Sequence, residues 1–193
     1  MKVVVFNNLT LDGVIQAPTS REEDQSGGFE LGGWAAPYNA MQSREAGESL
    51  TSFGSLLMGR RTYDIFADYY PKHPDNPFTE TLTNMQKYVA STTLREPLLW
   101  ANSTVIRDVP NEVTALKAQP GDDIIVWGSS ILIQMLIEHN LIDRYILLVH
   151  PIVLGSGKRL FPDGGVFAKL RLISAKMTDD GVAVVTYEPE QKS

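Results

Sequence analysis

Two adjacent arginines follow an apolar run in the segment Leu56-Leu57-Met58-Gly59-Arg60-Arg61-Thr62-Tyr63. The pattern predicts a buried strand that ends at Gly59 and a helix that begins near Thr62. A helix N-terminus presents unpaired N–H groups to an anion, and guanidinium groups can add bidentate contacts to a phosphate. The segment therefore suits the 2′- or 5′-phosphate of a nucleotide, although a solvated basic pair would show the same pattern.

Small and hydroxyl-bearing residues follow two further apolar runs. The two segments read Tyr88-Val89-Ala90-Ser91-Thr92-Thr93 and Ile124-Ile125-Val126-Trp127-Gly128-Ser129-Ser130. Hydroxyl groups at such positions can bind phosphate or ribose, or can simply cap a turn. Glycine allows a ligand to approach the backbone closely, and the helix predicted after it favours a phosphate. Because ligands of open α/β sheets bind at the carboxyl ends of strands, these segments together predict one nucleotide site.

The rest of the chain supplies the elements that must position these residues. We predict strands at Val3–Phe6, Ser55–Met58, Tyr88–Ser91, Thr104–Ile106, Ile124–Trp127, Tyr145–Val149, Leu170–Met177 and Val182–Tyr187. We predict helices at Asn39–Ser52, Thr62–Ala67, Asn111–Ala118 and Ser129–His139, the last of them with a serine N-cap. Asp180-Gly181 predicts a tight turn between the last two strands. The order of elements is typical of one three-layer α/β domain over residues 1–193, ending in an antiparallel hairpin.

Composition narrows the classes of partner. The 193 residues carry a net charge of −6, and an acidic chain is poorly suited to bind a nucleic-acid backbone. No stretch approaches the roughly 18 uncharged apolar residues that a membrane helix needs. Cysteine is absent and the three histidines lie far apart, so we expect no metal site. The lack of cysteine is compatible with a reducing cytoplasm, where we expect the protein.

Several motifs, taken together, resemble the dihydrofolate reductase superfamily in order and spacing. They are Thr10-Leu11-Asp12-Gly13-Val14-Ile15, Met58-Gly59-Arg60-Arg61-Thr62-Tyr63, Ala90-Ser91-Thr92 and Val126-Trp127-Gly128-Ser129. A second group is similar to the reductase domain of bifunctional riboflavin-biosynthesis deaminase-reductases, namely Leu141-Ile142-Asp143-Arg144-Tyr145, His150-Pro151-Ile152-Val153-Leu154-Gly155-Ser156-Gly157 and Leu160-Phe161-Pro162. The resemblance covers nearly the whole chain. It implies a dihydrofolate-reductase-like fold with a mixed, mainly parallel sheet, and an NADPH-dependent reductase of a small pyrimidine- or pterin-like substrate. It also implies a homodimer.

The resemblance further implies roles for particular residues in binding NADPH. Arg60, Arg61 and Thr62, after Gly59, would hold the adenosine 2′-phosphate, and Ser91 and Thr92 would meet the adenosine ribose and phosphate. Gly128, Ser129 and Ser130 would line the pyrophosphate, with Ile133 near the nicotinamide. Asn7, Asn8 and Ile15 would flank the nicotinamide and the substrate. The superfamily usually has Gly-Gly at Gly128-Ser129, and no carboxylate matches its pterin-binding acid, which argues against genuine dihydrofolate reduction.

The substrate end of the site is predicted from the loop Ala17–Gly33 and the residues after it. Its glycine pairs suggest a mobile lid, and Trp34 and Tyr38 could stack on a flat ring, although both could instead belong to the core. Asp12 is the candidate proton donor, but Asp-Gly is also an ordinary turn. Two other functions stay open: an NADP(H)-binding protein without catalytic activity, and a structural homodimer whose basic strand ends are incidental.

Overall fold

The computed structural model describes residues 1–38, 50 and 52–190. Eight strands form one sheet: β1 (Val3–Thr10), β2 (Phe53–Gly59), β3 (Gln86–Ala90), β4 (Ser103–Ile106), β5 (Asp123–Trp127), β6 (Arg144–His150), β7 (Leu170–Met177) and β8 (Ala183–Pro189). Their spatial order is β4-β3-β2-β5-β1-β6-β8-β7. The six strands from β4 to β6 are parallel, and β7 and β8 add an antiparallel hairpin. This arrangement confirms the predicted fold class and every predicted strand.

Strand β1 lies at the centre of the sheet and is buried along its whole length. It pairs with β5 on one side and with β6 on the other. The strand continues four residues beyond its predicted end at Phe6, because Asn7 to Thr10 pair with the last residues of β6. Three polar side chains (Asn7, Asn8 and Thr10) are therefore buried in the middle of the protein.

Helices cover both faces of the sheet. They are α1 (Arg60–Tyr69), α2 (Thr79–Asn84), α3 (Val109–Lys117) and α4 (Ser130–Glu138). Apolar residues of α3 and α4 pack on one face with Val3 and Val5, whereas residues of α1 and α2 pack on the other face with Phe6. The sequence predicted α1, α3 and α4 but missed α2, and the predicted helix Asn39–Ser52 lies almost entirely outside the described residues. No helix in the described part of the chain has the length and apolar character needed to cross a bilayer.

The hairpin forms one edge of the sheet. The predicted turn joins β7 to β8, where the Thr178 N–H donates to the Val182 carbonyl over 2.9 Å. Strand β7 is the outermost strand, and its residues from Arg171 to Met177 are exposed on both faces. The exposed residues include the apolar side chains Leu172, Ile173 and Met177.

Candidate functional site

A cleft of about 1730 Å³ opens at the carboxyl ends of the central strands. Parallel strands direct these ends to one edge of the sheet, so residues distant in sequence meet there. The predicted site residues that line the cleft are Asn7, Asn8, Ile15, Gly59, Arg60, Arg61, Thr62, Ser91, Thr92, Gly128, Ser129 and Ser130. Among the described residues, no group of three or more His, Asp or Glu side chains is arranged to hold a metal ion.

The turn between β5 and α4 has an unusual backbone. Gly128 has a φ of +71°, and Ser129 has a φ of +66°, which is uncommon for a residue with a side chain. The Ser129 hydroxyl holds this conformation, since it accepts from the Gly59 N–H over 2.7 Å and shares a 2.7 Å hydrogen bond with Thr62 Oγ1. Ser129 occupies the N-cap position of α4, as predicted. Contrary to the prediction, its side chain makes no capping hydrogen bond to the helix. The first N–H groups of α4 therefore lack a side-chain cap at the cleft.

Two arginines meet on the loop that follows β3. Arg60 Nη1 donates to Thr93 Oγ1 over 3.3 Å. Arg107 donates from Nη1 to the Ser91 carbonyl over 3.2 Å and from Nη2 to the Leu94 carbonyl over 2.8 Å. Both arginines line the cleft, together with Asp64 and Asp108, so this end of it offers guanidinium groups to an anion. The sequence analysis missed Arg107, although its position directly after β4 places it at the same sheet edge as the other predicted residues.

Arg61 points in a different direction from Arg60. Its Nη1 donates to Asp24 Oδ1 over 3.1 Å and to Ser26 Oγ over 2.7 Å, in the loop predicted to be a lid. Lys158 Nζ reaches the same two residues, each over 2.6 Å. Burial opposes the ionisation of Asp24, yet hydrogen bonds from Lys158 and Ser26 lower its pKa to about 2. Arg61 and Lys158 thus fasten this loop to the rest of the protein, a role that the sequence analysis predicted for neither residue.

The two asparagines of β1 face opposite sides of the sheet and both line the cleft. Asn7 Oδ1 accepts from the Gly128 N–H over 3.1 Å, and the buried Asn7 Nδ2 has no hydrogen-bond partner among the described residues. Asn8 Oδ1 lies 3.0 Å from Nε2 of His150, a fully buried residue that the sequence analysis left without a role. Burial lowers the pKa of His150 to about 4, so the imidazole is neutral at pH 7.

Among the described residues, neither Trp34 nor Tyr38 lines the cleft. This corrects the predicted substrate contact for the buried Trp34, whereas that of the half-buried Tyr38 stays a prediction. Trp34 is only 7 % exposed, and its indole N–H donates to the Gln16 carbonyl over 2.8 Å. Both rings pack edge-on against His150, with centroid distances of 5.3 Å for Trp34 and 5.0 Å for Tyr38. Trp34 therefore belongs to the core, which was the second possibility that the sequence left open.

Asp12 and Ile133 also lie outside the cleft wall. Asp12 accepts from Thr10 Oγ1 over 2.6 Å and from the Gly155 N–H over 2.8 Å. These bonds, with that from Thr10 the strongest cause, lower the pKa of Asp12 to about 2, so the turn alternative replaces its predicted role as proton donor. Ile133 is fully buried in the core, because two residues along α4 turn its side chain by about 200° from that of the cleft-lining Ile131.

Comparison with known proteins shows the family to which the chain belongs. The sequence matches the RibD C-terminal domain family over residues 1–184. The chain belongs to this family. It is also 33 % identical over 146 residues to the uncharacterised protein YyaP of Bacillus subtilis (strain 168), covering 72 % of this chain and 75 % of YyaP.

Solved structures show the same fold as this RibD C-terminal domain protein. A putative riboflavin biosynthesis protein from Shewanella sp. PV-4 superposes with a TM-score of 0.68 at 20 % identity, over 99 % of this chain and 100 % of that one. A pyrimidine reductase-like protein from Corynebacterium diphtheriae gives 0.58 at 12 % identity, over 99 % and 92 %. Dihydrofolate reductase from Enterococcus faecalis, complexed with NADP(H) and RAB-propyl, gives 0.60 at 15 % identity, over 98 % and 97 %. The fold is dihydrofolate-reductase-like, and membership of the family supports an oxidoreductase of the reductase type.

Proposed function

We propose that this RibD C-terminal domain protein is an NADPH-dependent reductase that transfers a hydride to a small pyrimidine- or pterin-like heterocycle. The observation that carries the proposal is that one cleft joins two arginines at one end, an uncapped helix N-terminus and two buried asparagines. These features match, in order, a 2′-phosphate, a pyrophosphate and a polar ring system. The dihydrofolate reductase that shares the fold was solved with NADP(H), which supports the choice of cofactor.

The cleft wall fits a dinucleotide phosphate where the turns of β2 and β5 meet. A Cβ atom on Gly128 would lie 3.2 Å from Thr62 Oγ1, and one on Gly59 would lie 2.8 Å from Ser129 Oγ. Side chains at these two positions would therefore disturb the backbone that presents the α4 N-terminus to the cleft. We assign the pyrophosphate to this turn, from Gly128 to Ser130, because helix N-termini favour phosphate groups.

The two ends of the cleft fit the two ends of NADPH. Arg60, Arg107 and the hydroxyl groups of Thr92 and Thr93 suit the 2′-phosphate, since guanidinium groups form strong charge-assisted hydrogen bonds with phosphate. The unpaired Asn7 Nδ2 is a donor suited to the carboxamide oxygen of a nicotinamide. We propose that Arg61 anchors the loop through Asp24 and Ser26, and that Arg60 and Arg107 bind the 2′-phosphate.

The protein's own contribution to the reduction is mainly positioning and exclusion of water. Bound NADPH supplies the hydride, so the chain must hold cofactor and substrate together. The loop residues Ala17 to Asp24 form part of the cleft wall, and the ion pairs of Asp24 with Arg61 and Lys158 keep them there. A loop held in this position would reduce the access of solvent to the reacting groups.

A second candidate function is binding of NADP(H) without catalysis. It is favoured by the low pKa values of Asp12 and Asp24, which leave both carboxylates ionised at neutral pH and unsuited to donate a proton. Oxidation of NADPH, followed by absorbance with a panel of pyrimidines and pterins, separates the two functions. Turnover of any one of them supports the reductase, whereas cofactor binding with no turnover across the panel supports the alternative.

Calorimetric titration of the wild-type protein with NADPH and NADH tests the cofactor assignment. We expect NADPH to bind at least about tenfold more tightly, because one charge-assisted contact to the 2′-phosphate contributes roughly 1.5 kcal/mol or more. Equal affinities for the two cofactors would contradict the assignment of a 2′-phosphate site.

We also propose that the protein forms a homodimer through the exposed edge strand β7. An unpaired strand edge offers hydrogen-bonding groups to a second strand, and natural proteins usually cover such an edge. Leu172, Ile173 and Met177 add apolar surface to this edge, and all three side chains are exposed in the described part of the chain. Pairing with a second copy would bury this surface.

A further inference from the structure

We propose that His150 is a positioning residue that fixes the Asn8 side chain, so that Asn8 presents an N–H donor to the substrate and selects heterocycles with an oxo group at that edge. This inference rests on the proposed function, because it names the chemistry of the substrate bound in the same cleft. His150 begins one of the motifs quoted from the sequence, but no role could be assigned to it there, since its partner Asn8 lies 142 residues away.

The two side chains meet because of the register between β1 and β6. Asn8 pairs with Leu148 and Thr10 pairs with His150, so Asn8 and His150 lie diagonally on the same face of the sheet. Asn8 is 5 % exposed and lines the cleft, whereas His150 is fully buried behind it. Trp34 and Tyr38 pack edge-on against the imidazole and hold its plane.

The orientation of the Asn8 amide follows from the position of the imidazole proton. Burial keeps His150 neutral, against the opposing but smaller influence of Asp180, so the ring has one N–H. His150 Nδ1 is buried and has no partner among the described residues, so a proton there would be an unpaired buried donor. A proton on Nε2 is instead donated to Asn8 Oδ1, 3.0 Å away.

This arrangement determines which hydrogen-bonding group the substrate must present to Asn8. With Oδ1 occupied by His150, Asn8 has the two hydrogens of Nδ2 left to offer to a ligand in the cleft that it lines. A substrate oxo group would accept from Nδ2. An amino group at the same place would be a second donor facing Asn8 Nδ2, and both donors would lack an acceptor in a desolvated site.

The first test is nitrogen-15 NMR of the histidine side chains at neutral pH, with the His150 signals assigned by their loss in His150→Gln. We expect a neutral ring protonated at Nε2 and unprotonated at Nδ1. A ring protonated at Nδ1 would overturn the inference, because Asn8 would then turn its oxygen toward the cleft. This measurement needs no substrate.

The second test compares two probes on the protein saturated with NADP+, in mildly alkaline buffer where both probes are neutral. Uracil has two oxo groups, and 2,4-diaminopyrimidine replaces them with amino groups. We expect calorimetry to show uracil binding at least about tenfold more tightly, since the mismatch leaves a buried donor unpaired. Equal affinities, or no binding of either probe, would overturn the inference.

Matched variants separate positioning from general packing. His150→Gln keeps an N–H donor at similar reach and should retain the preference for uracil. His150→Phe keeps a ring against Trp34 and Tyr38 but cannot donate, and should lose the preference while it binds NADPH as the wild type does. An unchanged preference in His150→Phe would overturn the inference. The NADPH-to-NADH affinity ratio of the wild type tests the proposed function separately. A wild type that prefers NADPH but does not prefer uracil over 2,4-diaminopyrimidine would therefore refute only the role of His150.

Discussion

Replacing Arg60 with alanine should remove most of the preference for NADPH over NADH. Arg60 reaches the loop after β3 through Thr93, and its Nε also pairs with Asp64 over 2.9 Å. Hydrogen bonds to charged groups contribute roughly 1.5–3 kcal/mol, and the 45 % exposure of the Arg60 side chain favours the lower end. A loss of about 1.5 kcal/mol corresponds to roughly a tenfold weaker affinity for NADPH, with little change for NADH.

The neighbouring Arg61→Ala variant is the matched control. Arg61 is 60 % exposed on its side chain and bonds to Asp24 and Ser26 on the loop. Exposed ion pairs contribute under about 1 kcal/mol, so both cofactors should lose affinity by less than about fivefold and by the same factor. Calorimetry of both variants with both cofactors decides the matter. An unchanged NADPH-to-NADH ratio in Arg60→Ala, or an equal fall of that ratio in Arg61→Ala, would refute the reasoning.

Three further predictions concern the turn, the core and the sheet edge. Asp12→Asn should leave NADPH affinity unchanged. Because the pKa of Asp12 in the folded protein, about 2, lies below the ordinary 3.8, the ionised carboxylate makes the wild type more stable than this variant at neutral pH. In thermal unfolding, the wild type should lose this advantage as the pH falls from about 4 to 2. Trp34→Ala should cost about 3–5 kcal/mol in denaturant unfolding and change NADPH affinity by less than about threefold; a variant as stable as the wild type would contradict the place of Trp34 in the core. Wild-type protein should have a dimer mass in light scattering and Ile173→Lys a monomer mass, whereas a monomeric wild type at every concentration would exclude the homodimer.

The central strands β1, β2 and β5 could be predicted from sequence because their apolar runs are buried on both faces of the parallel part of the sheet. The end of β1 could not be predicted, since Asn7, Asn8 and Thr10 are polar and this part of the strand is held by pairing with β6. The residues after β2 and β5 were also predictable, because Arg60 and Ser130 begin helices directly at the sheet edge where ligands bind.

The errors in the site have a common physical origin. Position along the chain does not show which way a side chain faces, and this decided the outcome for Ile133, Trp34 and Asp12. Residues whose interaction partners are distant in sequence were also missed. The Lys158–Asp24 ion pair joins residues 134 positions apart, and no local pattern could indicate it.

A crystal structure of the protein with NADP+ would show directly whether the cleft binds the cofactor as proposed. We expect the 2′-phosphate within hydrogen-bonding distance of Arg60 and Arg107, the pyrophosphate at the N-terminus of α4, and the nicotinamide beside Asn7. A dinucleotide bound outside this cleft, or bound in reverse with its adenine beside Asn7 and Asn8, would contradict the proposal.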